Sequence, residues 1–304
     1  MWPGSGTTST TAMRNCNCNG ATRVRLLLAA LLLLLFSPAA GVAAPLYSVT
    51  KVDERLYAAI ADPRGEAASN AFIIITPTSV TVAGAHFTPA GAAEITRIIA
   101  AITPLPLRSV ILTHHHQESP AVDFGFPPTV ELITSARSWS NLKGEKQQLN
   151  NQVISFEKVM TIVGGKQTIL LTVMEPGYTA GNLVVYLPEQ AVLFASDLAY
   201  NNVAGVMDDG HPRGWVQDLL QLENLVVTKV VPGRGNVTDG AGLQRFRFFL
   251  QDFFTEIMGH LERGESAEET VRLFHLPPEK IPPLFPLVQR KSIEWAWREL
   301  QEQR

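Results

Sequence analysis

Three consecutive histidines end an apolar segment of the chain, in the sequence Val110-Ile-Leu-Thr-His-His-His-Gln-Glu-Ser119. In extended backbone, side chains two positions apart point the same way, so His114 and His116 can reach one cation while His115 points away. Neutral imidazole is a common metal ligand, and Glu118 adds a carboxylate close by. The segment therefore predicts a metal site, and a solvated polar turn is the alternative interpretation.

Three more polar residues lie in turns that follow or join apolar segments. Asp197 follows an apolar run, Arg234 lies in a Pro-Gly-Arg-Gly turn, and Tyr178 lies in a Pro-Gly-Tyr-Thr turn. Because loops at the ends of strands commonly carry functional groups, these turns predict the rim of one shared site. The alternatives are a helix cap for Asp197, a surface side chain for Arg234 and simple packing for Tyr178.

The elements that would position these residues alternate between strands and helices. Apolar, β-branched segments predict strands at 71–75, 80–82, 110–113, 130–134, 153–156, 168–174, 183–187, 191–195 and 226–231. Helical spacing of apolar residues and helix-start signals predict helices at 89–102, 215–225, 241–263, 266–274 and 291–303. Strands interrupted by helices indicate a layered α/β architecture.

Composition narrows the classes of function. The 304 residues carry 25 basic and 28 acidic side chains, a formal charge of −3. No cluster of Lys or Arg offsets this acidic balance, which argues against a nucleic-acid partner. Both cysteines, Cys16 and Cys18, precede residue 44, so the rest of the chain can form neither a disulfide nor a Cys-ligated metal site.

The first 44 residues have the layout of a secretory signal peptide. Three arginines precede an unbroken apolar run of 11 residues at 26–36, and small residues follow it. A membrane-spanning helix needs about 20 residues, so we predict cleavage near Ala43 or Ala44 and a periplasmic or secreted protein. A membrane contact would arise only through an uncleaved leader. Residues 45–304 would then form one domain with a helical tail from about 264.

In their order along the chain, these motifs resemble the metallo-β-lactamase superfamily from about residue 46 to residue 276. The superfamily signature is Thr-His-x-His-x-Asp-His, then Gly-His-Thr before Gly-Asn, then Gly-Asp after a strand, then Pro-Gly-His-Gly. The corresponding positions here are Thr113-His-His-His-Gln-Glu-Ser119, Gly177-Tyr-Thr179 before Gly181-Asn182, Ser196-Asp197 and Pro232-Gly-Arg-Gly235. The resemblance implies a four-layer αββα sandwich with the site at one edge between the sheets.

The resemblance also implies a centre of two zinc ions, from which this chain departs. The positions of the family's ligands hold His114, His116 and Asp197 unchanged, Glu118 in place of an Asp, and Ser119, Tyr178 and Arg234 in place of histidines. A guanidinium stays protonated and has no lone pair to offer, so Arg234 cannot ligate a metal and would repel a cation beside it. We expect Arg234 to replace the second ion and to bond Glu118 or Asp197.

Two functions remain open at this point. The first is a hydrolase with at most one zinc ion, held by His114, His116 and Asp197 with Glu118 as a further ligand, that acts through a metal-bound hydroxide. Asp197, Tyr178 and Arg234 would be its catalytic residues, and Tyr178 could ligate as phenolate or donate a hydrogen bond. The second is a non-catalytic protein of the same fold that binds a ligand or a protein partner without metal. The sequence does not identify the small-molecule substrate.

Overall fold

The computed structural model describes residues 44–303 apart from residues 68, 85–87, 115–125 and 143–148. The strands of this part are β1 (Tyr47–Asp53), β2 (Leu56–Ala61), β3 (Ala71–Ile75), β4 (Val80–Gly84), β5 (Leu107–Leu112), β6 (Glu131–Ser135), β7 (Val153–Phe156), β8 (Val159–Gly164), β9 (Gln167–Val173), β10 (Leu183–Leu187), β11 (Val192–Asn201) and β12 (Lys229–Gly235). The helices are α1 (Pro89–Ile102), α2 (Ala136–Asn141), α3 (Pro212–Glu223), α4 (Gly240–Glu262), α5 (Ala267–Leu273) and α6 (Phe285–Glu302), with a 3₁₀ turn at Pro278–Lys280.

The strands form two mixed sheets. The seven-stranded sheet has the order β1-β2-β3-β4-β5-β6-β7, and the five-stranded sheet has the order β12-β11-β10-β9-β8. The pairs β4/β5, β5/β6, β6/β7 and β11/β12 are parallel, whereas the other neighbours are antiparallel. Parallel strands place their carboxyl ends at the same edge of a sheet. The end of β5, the middle of β11 and the end of β12 carry the residues of the site.

The two sheets pack face to face through alternate residues of their strands. In β3, Phe72 and Ile74 belong to the core between the sheets, whereas Ile73 and Ile75 contact the layer of α1. Phe194 of β11 meets Phe72 from the opposite sheet, with ring centroids 5.7 Å apart. All of β3 is buried, which explains why its sequence is continuously apolar rather than alternating with polar residues.

Helices cover the outer faces of both sheets. On the seven-stranded sheet, Ile95 and Ile99 of α1 pack against β3, β4 and β5. On the five-stranded sheet, α3, α4 and α6 share one aromatic cluster centred on Trp215, which is fully buried. This arrangement is the predicted four-layer αββα sandwich. No helix in the described part of the chain is both long and apolar enough to span a bilayer.

Several predicted boundaries differ from the structure. β1, β2, β8 and α2 were not predicted. Polar residues interrupt the apolar ones in β1, β8 and α2, whereas β2 is apolar throughout but half alanine, a residue depleted in strands. The last helix was predicted from residue 291 but begins at Phe285, where Pro286 occupies the first turn that tolerates proline. The strand predicted at 191–195 continues to Asn201, so Asp197 lies within β11 and not after its end.

Candidate functional site

The parallel pairing of β11 and β12 brings Asp197 and Arg234 together. Ser196 pairs with Pro232 and Tyr200 pairs with Arg234, and the register shifts between these two pairs. Arg234 Nε lies 3.6 Å from Asp197 Oδ2, close enough for an ion pair although longer than a normal hydrogen bond. The Asp197 side chain is fully buried, and that of Arg234 is 24% exposed.

The backbone around Asp197 is shaped to admit its carboxylate. Ser196 has a φ of 51°, in the left-handed region that non-glycine residues rarely adopt. A Cβ added at Gly233 would lie 2.0 Å from Asp197 Oδ1, so only glycine fits beside the carboxylate. Similarly, a Cβ added at Gly205 would lie 2.7 Å from Arg234 Nε. The ion pair therefore occupies a slot with no room for further side-chain atoms at these two positions.

Asn70 fixes the end of β12, the strand that contains Arg234 where the sequence predicted a turn. Its Nδ2 donates to the carbonyl oxygens of Pro232 and Gly235 at 2.9 and 2.8 Å. Its backbone N–H donates to Gly233 O at 2.7 Å, and its Oδ1 accepts from the N–H of Ala61. Asn70 is 1% exposed. The side chain thus ties the seven-stranded sheet to the end of β12.

His114 follows the end of β5 in a fully buried position. Its Nδ1 lies 3.3 Å from Thr113 Oγ1 and 3.5 Å from Ser196 Oγ, and those two hydroxyls are 2.6 Å apart. The N–H of Leu183 donates to Thr113 O across the sandwich at 2.8 Å. These contacts attach the end of β5 to both β10 and β11 and hold His114 near the segment that carries Asp197.

Tyr178 is fully buried at the centre of the site. Its ring contacts His114 edge-on at 5.2 Å, Tyr200 at 6.2 Å and Trp215 at 5.0 Å between centroids. The turn that carries it is closed by a hydrogen bond from Thr179 Oγ1 to the side-chain oxygen of Asn182. The position that holds a ligand histidine in the resembling family is therefore filled by a phenol packed among aromatic rings.

Burial and the ion pair set the protonation states of the site. Burial raises the pKa of Asp197 to about 6, although the charge of Arg234 opposes the shift. For Arg234, desolvation opposes the charge, yet Asp197 and the two tyrosines raise its pKa above the ordinary value. Burial raises the pKa of Tyr178 well above its usual range, with further contributions from Tyr200 and Asp197. At neutral pH the described residues Arg234, Asp197, Tyr178 and Tyr200 therefore comprise one cation, one carboxylate and two neutral phenols.

These residues do not fit a centre of two metal ions. Arg234 contributes a permanent positive charge at the position of a ligand, and Tyr178 would have to ionise in a buried place where its phenol form is favoured. No group of three His, Cys, Asp or Glu side chains that could hold a metal occurs among the residues that the structure describes. His114 and Asp197 are the predicted ligands within that part.

The structure brings four of the predicted site residues into one place: His114, Tyr178, Asp197 and Arg234. The others, His116, Glu118 and Ser119, lie outside the described residues, so their roles remain predictions. Sequence reasoning missed Tyr200, whose ring lies 5.8 Å from the Arg234 guanidinium, and Asn70. Tyr200 could have been found from its position three residues after Asp197 in the same strand, whereas no local signal distinguishes Asn70.

Solved structures of similar proteins share this architecture. A metallo-β-lactamase from Pontibacter korlensis is 22% identical, with a TM-score of 0.59 over 67% of this chain and 99% of its own. The DIM-1 metallo-β-lactamase is 19% identical, with a TM-score of 0.57 over 68% of this chain and 98% of its own. An inverting sec-alkylsulfatase from Pseudomonas sp. is 12% identical, with a TM-score of 0.64 over 83% of this chain and 50% of its own.

One curated relative matches part of the sequence. The hydroxyacylglutathione hydrolase of Bartonella henselae is 25% identical over 119 residues, which is 39% of this chain and 45% of the relative. No protein-family model matches the chain. Together with the solved structures, this likeness shows that the chain has the metallo-β-lactamase fold and hydrolase-like relatives.

Proposed function

We propose that this metallo-β-lactamase-fold protein has exchanged the two-ion centre for an internal ion pair and binds a small molecule without metal-dependent hydrolysis. The observation that carries the proposal is the 3.6 Å approach of Arg234 Nε to the fully buried Asp197 carboxylate. A buried carboxylate needs one neutralising cation, and a guanidinium provides it permanently. A metal ion at the same place would have to overcome the repulsion of Arg234.

The one-ion hydrolase, the other function left open by the sequence, needs at least three protein ligands. Two of them, His114 and Asp197, lie in the described part of the site, and Asp197 already faces Arg234. His116 and Glu118 would have to complete the set. The metal content of the purified protein separates the two functions, because the hydrolase needs a stoichiometric ion and the binding protein does not.

The first test is elemental analysis of the full chain, purified without a metal-binding tag, before and after incubation with excess zinc. We expect far less than one ion per chain in both samples. About one zinc, manganese or iron per chain would contradict the proposal and support the one-ion hydrolase.

The second test is the variant Arg234→His, with Lys166→His in the exposed β8–β9 turn as the control for an added histidine. Removal of the fixed cation and addition of a ligand should increase zinc uptake in Arg234→His only. Equal uptake by the two variants would show that Arg234 does not exclude the metal.

We further propose that the protein is exported. The arginines and the apolar run that precede residue 44 are the supporting sequence features. Expression of the full chain in a bacterial host, followed by N-terminal sequencing of the periplasmic fraction, should give a protein that begins near Pro45. Retention of the whole protein in the cytoplasm would contradict export.

A further inference from the structure

A cavity of about 610 Å³ lies beside the ion pair, on the other side of Tyr200. It is bounded by the turn after β11, the first half of α4 and the segment 279–283 that leads into α6. Its volume is within the range of small-molecule pockets, about 300–1,000 Å³. The hydrogen bond from the N–H of Ala204 to Pro283 O fixes the segment 279–283 to the turn after β11.

The inner wall of this cavity is apolar and aromatic. Phe246 and Phe249 of α4 contribute to it, and each is only 5–6% exposed. Ile281 and Pro282 form the opposite wall. Tyr200 belongs to both the cavity and the ion-pair site, because it lines the cavity and its ring contacts Phe246 at 5.1 Å. Such a wall suits the ring or hydrocarbon part of a ligand.

The charged side chains of the cavity differ in whether they already have a partner. Lys280 forms an ion pair with Asp252 at 2.9 Å, so these two neutralise each other. Arg245 is exposed and forms no hydrogen bond or ion pair with another residue of the described part. Its guanidinium has five donors in a planar fork that matches a carboxylate. Glu279, which is also exposed, is the acidic counterpart on the opposite wall.

The amino-terminal end of α4 lines the cavity at Gly242 but is already capped. The Asp239 carboxylate accepts a hydrogen bond from the N–H of Gly242 at 3.0 Å and offsets the positive end of the helix dipole. Arg245 is therefore the group that attracts an anion to this cavity. The apolar wall and the unpaired guanidinium together select a molecule that has an apolar body and one acidic group.

We propose that this cavity binds an apolar, ring-bearing molecule with one anionic group, which Arg245 holds while Phe246, Phe249 and Ile281 enclose the ring. The inference deepens the proposed function and rests on it in one respect only, that binding is the task of the protein. It names the chemical class of the ligand. Metal content tests the ion pair, whereas ligand titration tests the cavity, so the two proposals can fail separately.

The test uses two fluorescent probes that share a ring system. The anionic probe is 8-anilinonaphthalene-1-sulfonate, and the uncharged probe is N-phenyl-1-naphthylamine. We expect saturable binding of the anion to one site on the folded full chain, and binding of the uncharged probe about tenfold weaker, the loss of one charged contact. The carboxylate 1-naphthoate should displace the anionic probe, which would show that the site also binds carboxylates. Equal affinity for the two probes would overturn the proposal.

Variants locate the site. Arg245→Gln should weaken the anionic probe about tenfold and leave the uncharged probe unchanged, whereas the exposed control Arg272→Gln should alter neither. Glu279→Gln should leave the affinity for the anionic probe equal or higher.

A second pair of variants tests the cavity itself. Ile281→Trp should weaken the binding of both probes because it partly fills the cavity, and Leu287→Trp, at a position that is 77% exposed, is its control. Each variant is first checked for wild-type near-UV circular dichroism. A folded Arg245→Gln with unchanged anion affinity would overturn the proposal.

Discussion

Two fully buried carboxylates, Asp197 and Asp218, are neutralised in different ways. Asp197 faces Arg234, and burial raises its pKa only to about 6. Asp218 on α3 forms no ion pair with any described residue, and desolvation together with the charge of Glu175 raises its pKa to about 8. Asp218 also packs against the turn before Tyr178, since a Cβ on Gly177 would lie 2.3 Å from Asp218 Oδ2. At neutral pH Asp197 is ionised and Asp218 is mostly protonated.

Asp218 should make stability depend on pH. Its pKa is about 8 in the folded state and near its ordinary 3.8 in the unfolded state, so the folded state binds more protons between these values. The free energy of unfolding therefore falls as pH rises from about 4 to about 8 and is then constant. We expect Asp218→Asn to remove the decline between about pH 6 and 8 and to leave the part that Asp197 contributes below about pH 6. At about pH 9 the variant should be more stable than wild type by on the order of a few kcal/mol.

The measurement for Asp218→Asn is urea denaturation across the pH range, with Glu66→Gln, which changes an exposed acid, as the control. The control should keep the wild-type slope. If the curves of wild type and Asp218→Asn run parallel from about pH 4 to 9, the buried carboxyl does not titrate as described.

Arg234 should stabilise the fold through Asp197 and not through general packing. We expect Arg234→Met to lower the free energy of unfolding by about 3–5 kcal/mol at neutral pH, because it leaves a buried carboxylate without a counter-charge. The double variant Asp197→Asn with Arg234→Met should recover much of that loss. Chemical denaturation of the two single variants and the double variant measures the coupling. Additive losses would mean that the two charges do not interact.

At the scale of elements, the β11–β12 pair concentrates the site. The register shifts between Ser196 and Tyr200, together with the left-handed φ of Ser196, allow one strand to place both Asp197 and Tyr200 near Arg234. Gly233 makes this possible because it leaves space for the Asp197 carboxylate. A substitution of Gly233 should therefore perturb the site although it changes no charged side chain.

Gly233→Ala should be destabilising by roughly 3 kcal/mol or more, since the added methyl group would overlap Asp197 Oδ1. The matched control is Gly240→Ala at the start of α4, where the nearest atom to the new Cβ would be 3.6 Å away. We expect the control to stay within about 1 kcal/mol of wild type. Thermal unfolding of both variants provides the comparison, and similar stabilities would refute the packing argument.

The sequence predicted elements with a clear apolar pattern and missed two of the edge strands. The buried strands β3 and β10 and the helix α1 have the predicted bounds, because their apolar residues form clear patterns. The edge strand β7 also has the predicted bounds, although it is only partly buried. β1 and β8 are largely exposed edge strands, so their patterns are weak. The sequence did not predict that β11 continues past Asp197. The backbone of β11 is irregular there because of its pairing with β12, and no local sequence pattern encodes that pairing.

At the scale of the whole molecule, Asn70 links the two sheets at the site. Its side chain connects the backbone of β2 in one sheet to the end of β12 in the other, across 162 and 165 positions of sequence. Thr113 and Leu183 form a second link of this kind. The site is therefore a property of the docked sandwich and belongs to neither sheet alone.

Asn70→Ala should lower the free energy of unfolding by about 2–4 kcal/mol, because it leaves buried backbone groups of both sheets without partners. Asn151→Ala, which removes two hydrogen bonds within a loop near β6, is the control and should cost about 1 kcal/mol or less. Denaturation measures both effects. A smaller loss for Asn70→Ala than for the control would show that the link between the sheets contributes little.

The Asn70 clamp has a consequence for the order in which the protein assembles. A strand end held by a residue more than 160 positions away can be fixed only after distant parts of the chain have met, which is a late and entropically costly event in folding. Until then Arg234 and Asp197 have no common environment. The buried ion pair therefore forms only in the fully assembled molecule, so a folding intermediate with undocked sheets would lack it.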